Sequence, residues 1–286
     1  MTPSAVVLRA GDARVVIEPD HGARLTSLVL AGREWLQQPV VEPRAAQPFD
    51  AFVRPDIAGW DEMVPTCVAV EHGGVALPDH GEVWSRPWDV VTVDKHELIT
   101  RIRCATVALT VERRATLTDG ELALRYVLEN VGDRPAAAFW MAHPLFDATD
   151  LVAVEVHPGD AAVVSTVDSR QPGSAGDGTS GPLLAGDLEP GGYRKYRLGD
   201  VGVVEGVTLV RSDGPRLTVG WRADVPVHVQ WWVDNGGVGP SPVVAPEPAT
   251  AAGDDPLTAE ARGSLPLLAP GVRLEVAISV VATAGP

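Results

Sequence analysis

The chain has 286 residues, of which 45% are hydrophobic, and its formal net charge is −15 at pH 7. This length suits one large domain or two modest ones, and the hydrophobic fraction indicates a globular chain rather than a disordered one. The negative charge argues against nucleic acid and against an anionic membrane surface as partners, because both are negatively charged themselves.

The sequence carries no sign of a membrane span or of a secretory signal. No apolar run reaches the length of a transmembrane helix, and the first residues, MTPSAVVLRAGDARVV, lack a basic start followed by an apolar core. Cys67 and Cys104 form no C-x-x-C pair, so we predict that both are buried free thiols. We therefore expect a soluble, cytoplasmic protein.

Short alternating runs dominate the chain, and no long stretch has the 3.6-residue apolar spacing of a helix. In chain order the predicted strands are ARVVIEP, ARLTSLVLAG, WDVVTVD, LITRIRC, VALTVERRATLTDG, LALRYVLEN, GVTLVRSDG, RLTVGWR, VHVQWWVD and LEVAISVVAT. The Asp-Gly pairs in TDGE (118–121) and SDGP (212–215) predict hairpins. Regularly spaced short strands with such turns predict an all-β sandwich or barrel.

Two stretches interrupt this rhythm, 168–192 and 235–256, and both are rich in Gly and Pro. We predict long loops there, and loops of this length inside a compact domain are usually functional or disordered. The strand pattern resumes after each of them, and no change of composition resembles a linker. The sequence therefore predicts a single domain spanning 1–286.

The second predicted loop places Glu247 between Pro246 and Pro248. Each proline fixes its own φ and restricts the residue before it to extended conformations. A restricted backbone positions its side chain, which favours a role for this carboxylate in a site. A proline-rich loop that happens to contain a glutamate is the alternative.

Three local clusters carry residues suited to catalysis or binding: GWDEMVPT (59–66), LPDHGEVWSRPWDV (77–90) and FWMAHPLFD (139–147). If the second cluster is a strand, His80, Glu82 and Trp84 share one face. An imidazole beside an indole suits a sugar, because the ring stacks on the sugar's apolar face and its hydroxyls need polar partners.

The third cluster places His143 on one strand face with Phe139 and Met141, among apolar side chains. Either His143 or His80 alone could instead be a histidine of the core or its rim whose hydrogen bonds are satisfied. The histidines are also too scattered to form a motif such as H-x-H, so we expect no metal site.

A pair of carboxylates is a further alternative, because a glycosidase needs two that face each other. Asp61 and Glu62 are adjacent, so on a strand they point to opposite faces and cannot pair. Asp61 with Glu247 stays open as such a pair.

Taken together, the segments resemble the aldose 1-epimerase (galactose mutarotase-like) family. The likeness begins with VVIEPDHGARLTSLVLAGREWL (15–36) and continues, in the family's order, through GWDEMVPT, LPDHGEVWSRPW, MAHPLF (141–146), WWVDNGG (231–237) and PEPATA (246–251). It implies a galactose mutarotase-like β-supersandwich with the site in a cleft on one sheet. It also implies a cofactor-independent isomerase with a small-molecule sugar substrate, and we expect a monomer or a homodimer.

The resemblance also implies roles for individual residues: Glu247 as general base, His143 as general acid and His80 as a substrate-binding histidine. Asp61, Trp84, and either Trp232 or Asp234 fall near sugar-contacting positions of the family. Arg54 corresponds to the family's sugar-binding arginine, although its surroundings, FVRPDIAGW, depart from the galactose mutarotase pattern. That departure leaves the identity of the sugar open.

The implied reaction is the interconversion of the α and β anomers of a sugar by acid–base ring opening and reclosure. A carbohydrate-binding protein without turnover is one alternative. An isomerase or lyase that uses the same His/Glu pair on a modified sugar is another. We expect a neutral sugar, because few Lys or Arg residues lie near the motifs and a phosphate usually needs several such donors.

Overall fold

The computed structural model describes residues 5–39, 52, 57–158, 164–166, 184–198 and 204–285. Within these ranges strands predominate, with one α-helix, α1 (Pro256–Ala261), and one turn of 3-10 helix (Ala185–Asp187). The predicted all-β fold is therefore confirmed. Most of the predicted loop at 168–192 lies outside the described residues. No helix of the described part is long and apolar enough to cross a membrane.

The strands of the described residues are, in chain order, β1 (Val6–Ala10), β2 (Ala13–Glu18), β3 (Arg24–Leu30), β4 (Arg33–Glu34), β5 (Trp60–Met63), β6 (Val70–His72), β7 (Val75–Leu77), β8 (Asp89–Val93), β9 (Glu97–Arg103), β10 (Leu109–Thr118), β11 (Glu121–Asn130), β12 (Ala136–Ala137), β13 (Met141–Pro144), β14 (Phe146–Asp147), β15 (Leu151–His157), β16 (Val164–Thr166), β17 (Tyr193–Leu198), β18 (Gly206–Arg211), β19 (Arg216–Ala223), β20 (His228–Asn235), β21 (Pro242–Ala249), β22 (Leu267–Leu268) and β23 (Arg273–Thr283).

Most of these strands form two large antiparallel sheets, while β6 pairs with β7 and β12 with β22 in two small ones. In the described residues the first large sheet has the order β1-β2-β3-β5-β13-β21-β20-β17-β16, with β4 beside β3 and β14 beside β21, and the second has the order β15-β18-β19-β23-β11-β10-β9-β8. One hydrophobic core joins their inner faces and includes Leu8, Val15, Leu25, Leu122, Leu124 and Val280. Burial of alternate residues on the inner faces leaves the outer face of the first sheet for a site.

Both predicted Asp-Gly hairpins are confirmed. Thr118 lies opposite Glu121, so the β10–β11 hairpin turns at Asp119 and Gly120. The SDGP segment connects β18 to β19. In β10 and β11 every second residue is buried, as the alternating sequence pattern predicts for strands with one face on a core.

The segment around Glu247 is a strand rather than a loop, so the predicted loop at 235–256 is wrong over Pro242–Ala249. β21 pairs with β20 along its whole length, but in the described residues it pairs with β13 and β14 only near its two ends. Proline has no N–H for a ladder and is normally confined to edges and bulges. The interrupted pairing on one side of β21 is what lets Pro246 and Pro248 lie inside the sheet.

The segment around His80 is a turn rather than the predicted strand. His80 has a φ of +58° and Gly81 a φ of +69°, both in the left-handed region. A Cβ at Gly81 would lie 2.1 Å from the Val64 carbonyl oxygen, so only glycine fits this approach. The expected common face of His80, Glu82 and Trp84 therefore does not exist.

Candidate active site

Four neighbouring strands of the first sheet direct side chains to its outer face at one place. These side chains are His143 on β13, Glu247 on β21, Trp232 on β20 and Lys195 on β17. The alternation of a strand sends adjacent residues into the core between the sheets. Those adjacent core residues are Ala142, Trp231 and Tyr196, and on β21 the core residue is Val244, three positions before Glu247.

A cavity of about 290 Å³ opens over these four side chains. Its described lining comprises Phe52, Ile57, Cys67, Val68, Asp79, His80, His143, Tyr193, Lys195, Trp232, Val238, Glu247 and Asp254. The volume is close to the roughly 300 Å³ at which small-molecule sites begin. A larger concavity, of about 1180 Å³, lies over the second sheet, but its described lining contains no histidine and no paired acid and base.

Glu247 and His143 meet at the bottom of this cavity. Glu247 Oε1 lies 3.5 Å from His143 Nε2, and both side chains are buried. Burial raises the pKa of Glu247 above its ordinary value, although the neighbouring Lys195 ammonium opposes that shift. The pair thus places a carboxylate of increased basicity beside an imidazole, the arrangement that acid–base catalysis requires.

Lys195 and Asp254, which the sequence analysis did not single out, complete the charge cluster. Lys195 Nζ lies 2.9 Å from Glu247 Oε2 and 2.8 Å from Asp254 Oδ1. Burial alone would lower the pKa of Lys195, but the carboxylates of Asp254 and Glu247 outweigh it and hold that pKa well above its ordinary value. The ammonium therefore stays charged beside Glu247.

His80 and Phe52 form the aromatic wall of the cavity. Their rings are stacked with centroids 3.8 Å apart and an angle of 6° between the planes. The Phe52 ring also meets the His143 ring edge-on at 5.2 Å, and Trp232 lies 6.3 Å from the His143 ring. Aromatic faces beside polar groups suit a ligand that is apolar on one face and hydroxylated at its edges.

Asp79 lies beside His80 at the rim, with Asp79 Oδ2 3.1 Å from His80 Nδ1. Burial raises the pKa of Asp79, but the hydrogen bond and the charge of His80 outweigh it and hold the pKa below its ordinary value. Asp79 thereby engages the Nδ1 edge of the imidazole. This leaves the other ring nitrogen of His80 as the one available to a ligand.

Of the residues predicted from the sequence, the structure brings Glu247, His143, His80 and Trp232 into one cavity. Asp61 and Trp84 do not line that cavity. Asp61 is buried with its Oδ2 3.9 Å from Arg24 Nε, although its backbone lies opposite His143 in the β5–β13 ladder. Trp84 is buried too, and its indole N–H donates to the Gly81 carbonyl oxygen at 3.1 Å. Arg54 lies outside the described residues.

Asp234 is placed at a turn instead of in the cavity. Its carboxylate accepts hydrogen bonds from the backbone N–H groups of Gly237, Val238 and Gly239. A carboxylate occupied by three donors of its own turn stabilises that turn and has little capacity left for a sugar. The sequence DNGG has the composition of such a turn, and that signal could have separated Asp234 from Trp232.

The donor set of the cavity suits proton transfer better than metal binding. Among the described residues, no group of three or more His, Cys, Asp and Glu side chains is arranged to hold a metal ion. Cys67, which is buried and free as predicted, has its pKa raised well above the ordinary value, chiefly by burial. It therefore stays a neutral thiol, whereas a metal would require the thiolate.

Comparison with solved structures identifies the fold. A galactose mutarotase-like protein from Lactobacillus casei matches with a TM-score of 0.73 at 18% identity, over 98% of this chain and 100% of that chain. A galactose mutarotase related enzyme from Lactobacillus acidophilus matches at 0.71 and 17%, over 98% of each chain. One from Clostridium acetobutylicum, also galactose mutarotase-like, matches at 0.67 and 14%, over 98% and 95%.

The chain therefore has the galactose mutarotase-like fold that its sequence predicted. No protein-family model matches the sequence, and no curated protein is significantly similar to it. At identities this low the structural likeness defines the fold alone. Any activity has to be argued from the side chains of the site.

Proposed function

We propose that the protein is an aldose 1-epimerase that interconverts the α and β anomers of a free sugar. The observation that supports this most is the 3.5 Å separation of Glu247 Oε1 and His143 Nε2 at the bottom of a cavity with an aromatic wall. The hydroxyl oxygen on C1 and the ring oxygen of a sugar are bonded to the same carbon atom. A carboxylate and an imidazole this close to each other can therefore each reach one of these two oxygens.

The reaction needs one proton removed and one supplied at the same time. Glu247 takes the proton of the C1 hydroxyl while His143, in its protonated form, gives a proton to the ring oxygen, and the bond from C1 to the ring oxygen breaks. The C1 aldehyde then rotates, and the ring oxygen attacks its other face. In this reverse step His143 takes the proton back and Glu247 returns one to the C1 oxygen, so both groups regain their starting states.

A neutral sugar suits the charges of the cavity. The described lining contains three carboxylates, on Asp79, Glu247 and Asp254, and the Lys195 ammonium already contacts two of them. A phosphate would be repelled by these carboxylates, and the described lining has no arginine and no second lysine to offset them. We therefore propose an unphosphorylated aldose as the substrate.

The test is a panel of freshly dissolved, single-anomer sugars followed by NMR or polarimetry with and without protein. Pentoses, hexoses and hexose 6-phosphates are compared at equal concentration, and boiled protein gives the uncatalysed rate. We expect at least one neutral aldose to equilibrate faster, with its 6-phosphate clearly slower. Faster equilibration of the phosphate would overturn the proposed substrate class.

The same panel separates the proposed function from its alternatives. A sugar that binds by calorimetry while its anomers equilibrate at the uncatalysed rate identifies a carbohydrate-binding protein. A new product signal, in place of the other anomer, identifies an isomerase or lyase that uses the same two residues.

A further inference from the structure

Lys195 is the cation of the site, and its contacts leave it little capacity to bind a ligand directly. An ammonium group has three N–H donors. Lys195 Nζ has Glu247 Oε2 at 2.9 Å, Asp254 Oδ1 at 2.8 Å and Cys67 Sγ at 3.6 Å. Two carboxylates and a thiol therefore surround the ammonium, and its ion pair with Glu247 indicates that Lys195 acts on this carboxylate rather than on a sugar.

The sheet register explains how Lys195 reaches this position. Lys195 lies opposite Trp232 in the β17–β20 ladder, whereas Glu247 lies opposite Gln230 in the β20–β21 ladder. The lysine side chain therefore crosses β20 diagonally to meet the carboxylate from two strands away. Such diagonal neighbours are within reach of a long side chain on the same face.

Asp254 holds the ammonium from the other side and is itself anchored. Its Oδ1 accepts a hydrogen bond from Gln230 Nε2 at 2.8 Å. Its backbone oxygen accepts from the N–H groups of Cys67 at 2.9 Å and Val68 at 3.1 Å. Burial raises the pKa of Asp254, but Lys195 and the hydrogen bonds from Gln230 and Cys67 together hold that pKa below the ordinary value. Asp254 is thus a fixed anion.

We propose that Lys195, held by Asp254, is a positioning residue that fixes the Glu247 carboxylate as an anion with Oε1 directed at His143 and the cavity. With Oε2 occupied by the ammonium, proton transfer falls to Oε1, which is the oxygen nearer to His143. The action of Glu247 on a substrate rests on the proposed function. The effect of Lys195 on the Glu247 carboxylate does not depend on that function.

The second carboxylate explains how a base can have a lysine beside it and still accept a proton. A lone ammonium near Glu247 would stabilise its ionised form and weaken it as a base. Asp254 offsets that charge, so the three groups together carry a net charge of one anion. The basicity of Glu247 therefore depends on both neighbours, in opposite directions.

Other titratable groups that face Glu247 have to stay constant in a test of this proposal. They come from two strands, the turn and the loop around the cavity: His143, Tyr193, His80, Asp79 and Cys67. Substitutions at Lys195 and Asp254 leave the identity of all five side chains unchanged. A shift in the Glu247 titration that follows the charges at positions 195 and 254 is then assigned to Lys195 and Asp254.

The experiment compares Lys195→Met, Lys195→Arg and Asp254→Asn with wild type. The Glu247 carboxyl is titrated by infrared difference spectroscopy, with the Glu247→Gln variant as the reference that identifies its band. The pH dependence of kcat/KM for anomer interconversion is measured in parallel, and circular dichroism checks the fold of each variant.

We expect Lys195→Met to move the Glu247 titration, and with it the acidic limb of kcat/KM, to higher pH by about one to three units. Lys195→Arg keeps the charge, so its Glu247 titration should lie close to that of the wild type. Loss of packing alone would not explain such a recovery. Asp254→Asn should move the Glu247 titration and the acidic limb of kcat/KM to lower pH. If Lys195→Met does not fold, the direction found for Asp254→Asn decides the question.

An unchanged titration in Lys195→Met, or a shift to higher pH in Asp254→Asn, would overturn the role of Lys195. The infrared titration needs no turnover. If no sugar is interconverted, the proposed function fails while the titration still decides the role of Lys195. If sugars are interconverted but the titration ignores Lys195, only the inference about Lys195 fails.

Discussion

Two buried carboxylates lie on opposite faces of the same sheet, Glu247 on the outer face and Glu62 on the inner one. Glu62 Oε1 accepts a hydrogen bond from Tyr126 Oη at 2.6 Å and lies 3.5 Å from Arg113 Nη1. Tyr126 and Arg113 belong to β11 and β10 of the second sheet, so Glu62 is enclosed between the sheets. Each glutamate thus has one cation beside it and almost no exposure to solvent.

Their electrostatics are also similar. Burial raises the pKa of Glu62 to about 7, with Arg113 as the main opposing influence, and burial raises the pKa of Glu247 with Lys195 opposing it. What differs is access, because Glu247 lines a cavity with His143 beside it and Glu62 does not. A buried carboxylate with a raised pKa is therefore not sufficient to identify a catalytic base, which also needs a space for the substrate and a partner for the proton.

The same substitution at both positions tests whether Glu247, and not Glu62, takes part in turnover. Glu247→Gln keeps the shape and removes the base, so we expect kcat to fall by about 10²- to 10⁴-fold with a much smaller change in KM. Glu62→Gln is the matched control and should leave turnover close to wild type. Anomer interconversion on the best sugar of the panel is the measurement. Near-normal turnover in Glu247→Gln would remove the carboxylate from the mechanism.

His143→Asn extends the test to the acid of the pair. The amide keeps some hydrogen bonding but cannot donate the proton, so kcat should fall by a similar factor of about 10² to 10⁴. The double variant with Glu247→Gln should be little worse than either single variant, because groups that act as a unit are not additive. Losses that multiply would indicate that His143 and Glu247 act in separate steps.

The inner carboxylate should instead be visible in stability. The pKa of Glu62 rises from an ordinary value of 4.5 to about 7 on folding, so the folded state binds the proton more tightly than the unfolded state. This contribution to stability is complete below pH 4.5 and is lost as the pH rises through about 7. Relative to Glu62→Gln, the wild type should therefore lose unfolding free energy over that window, by at most about 1.4 kcal/mol per pH unit.

Urea unfolding of both proteins at a series of pH values measures this difference. The kinetic assay at the same pH values serves as the control, because Glu62→Gln should change the stability curve and not the turnover. Parallel stability curves for the two proteins would show that Glu62 keeps an ordinary pKa and that the comparison with Glu247 fails.

The sequence was sufficient for most of the fold because alternating burial leaves a plain pattern. β10 and β11 alternate residue by residue, and the Asp-Gly turn between them fixes their register. β21 was missed for the opposite reason, since Pro246 and Pro248 are rare inside a sheet. The ladder gaps that accommodate them involve β13 and β14, which lie about a hundred residues earlier in the chain, and no local pattern encodes such a pairing.

The residues of the site likewise fall into those that the sequence could predict and one that it could not. Glu247 and His143 could be predicted from the resemblance, because the segments PEPATA and MAHPLF contain them. Lys195 lies in YRKYRL, where a charged residue in an alternating run usually indicates a solvent-exposed face. Only the order of β17, β20 and β21 in the sheet brings it to Glu247. The ion pair of Lys195 with Glu247 is therefore visible in the topology and not in the sequence.

Substitutions of the rim residues His80 and Asp79 should affect turnover least, and the His80 side chain is 19% exposed. We choose His80→Asn because asparagine tolerates the φ of +58° at this position better than most residues. A hydrogen bond to a sugar hydroxyl contributes about 0.5–1.5 kcal/mol, so KM should rise by up to about tenfold. kcat should change less, since Glu247 and His143 stay in place. Asp79→Asn tests the neighbouring group with the His80 ring retained and should raise KM less. If His80→Asn lowered kcat as strongly as Glu247→Gln with KM unchanged, His80 would belong to the proton transfer itself, and the roles of the two histidines would have to be exchanged.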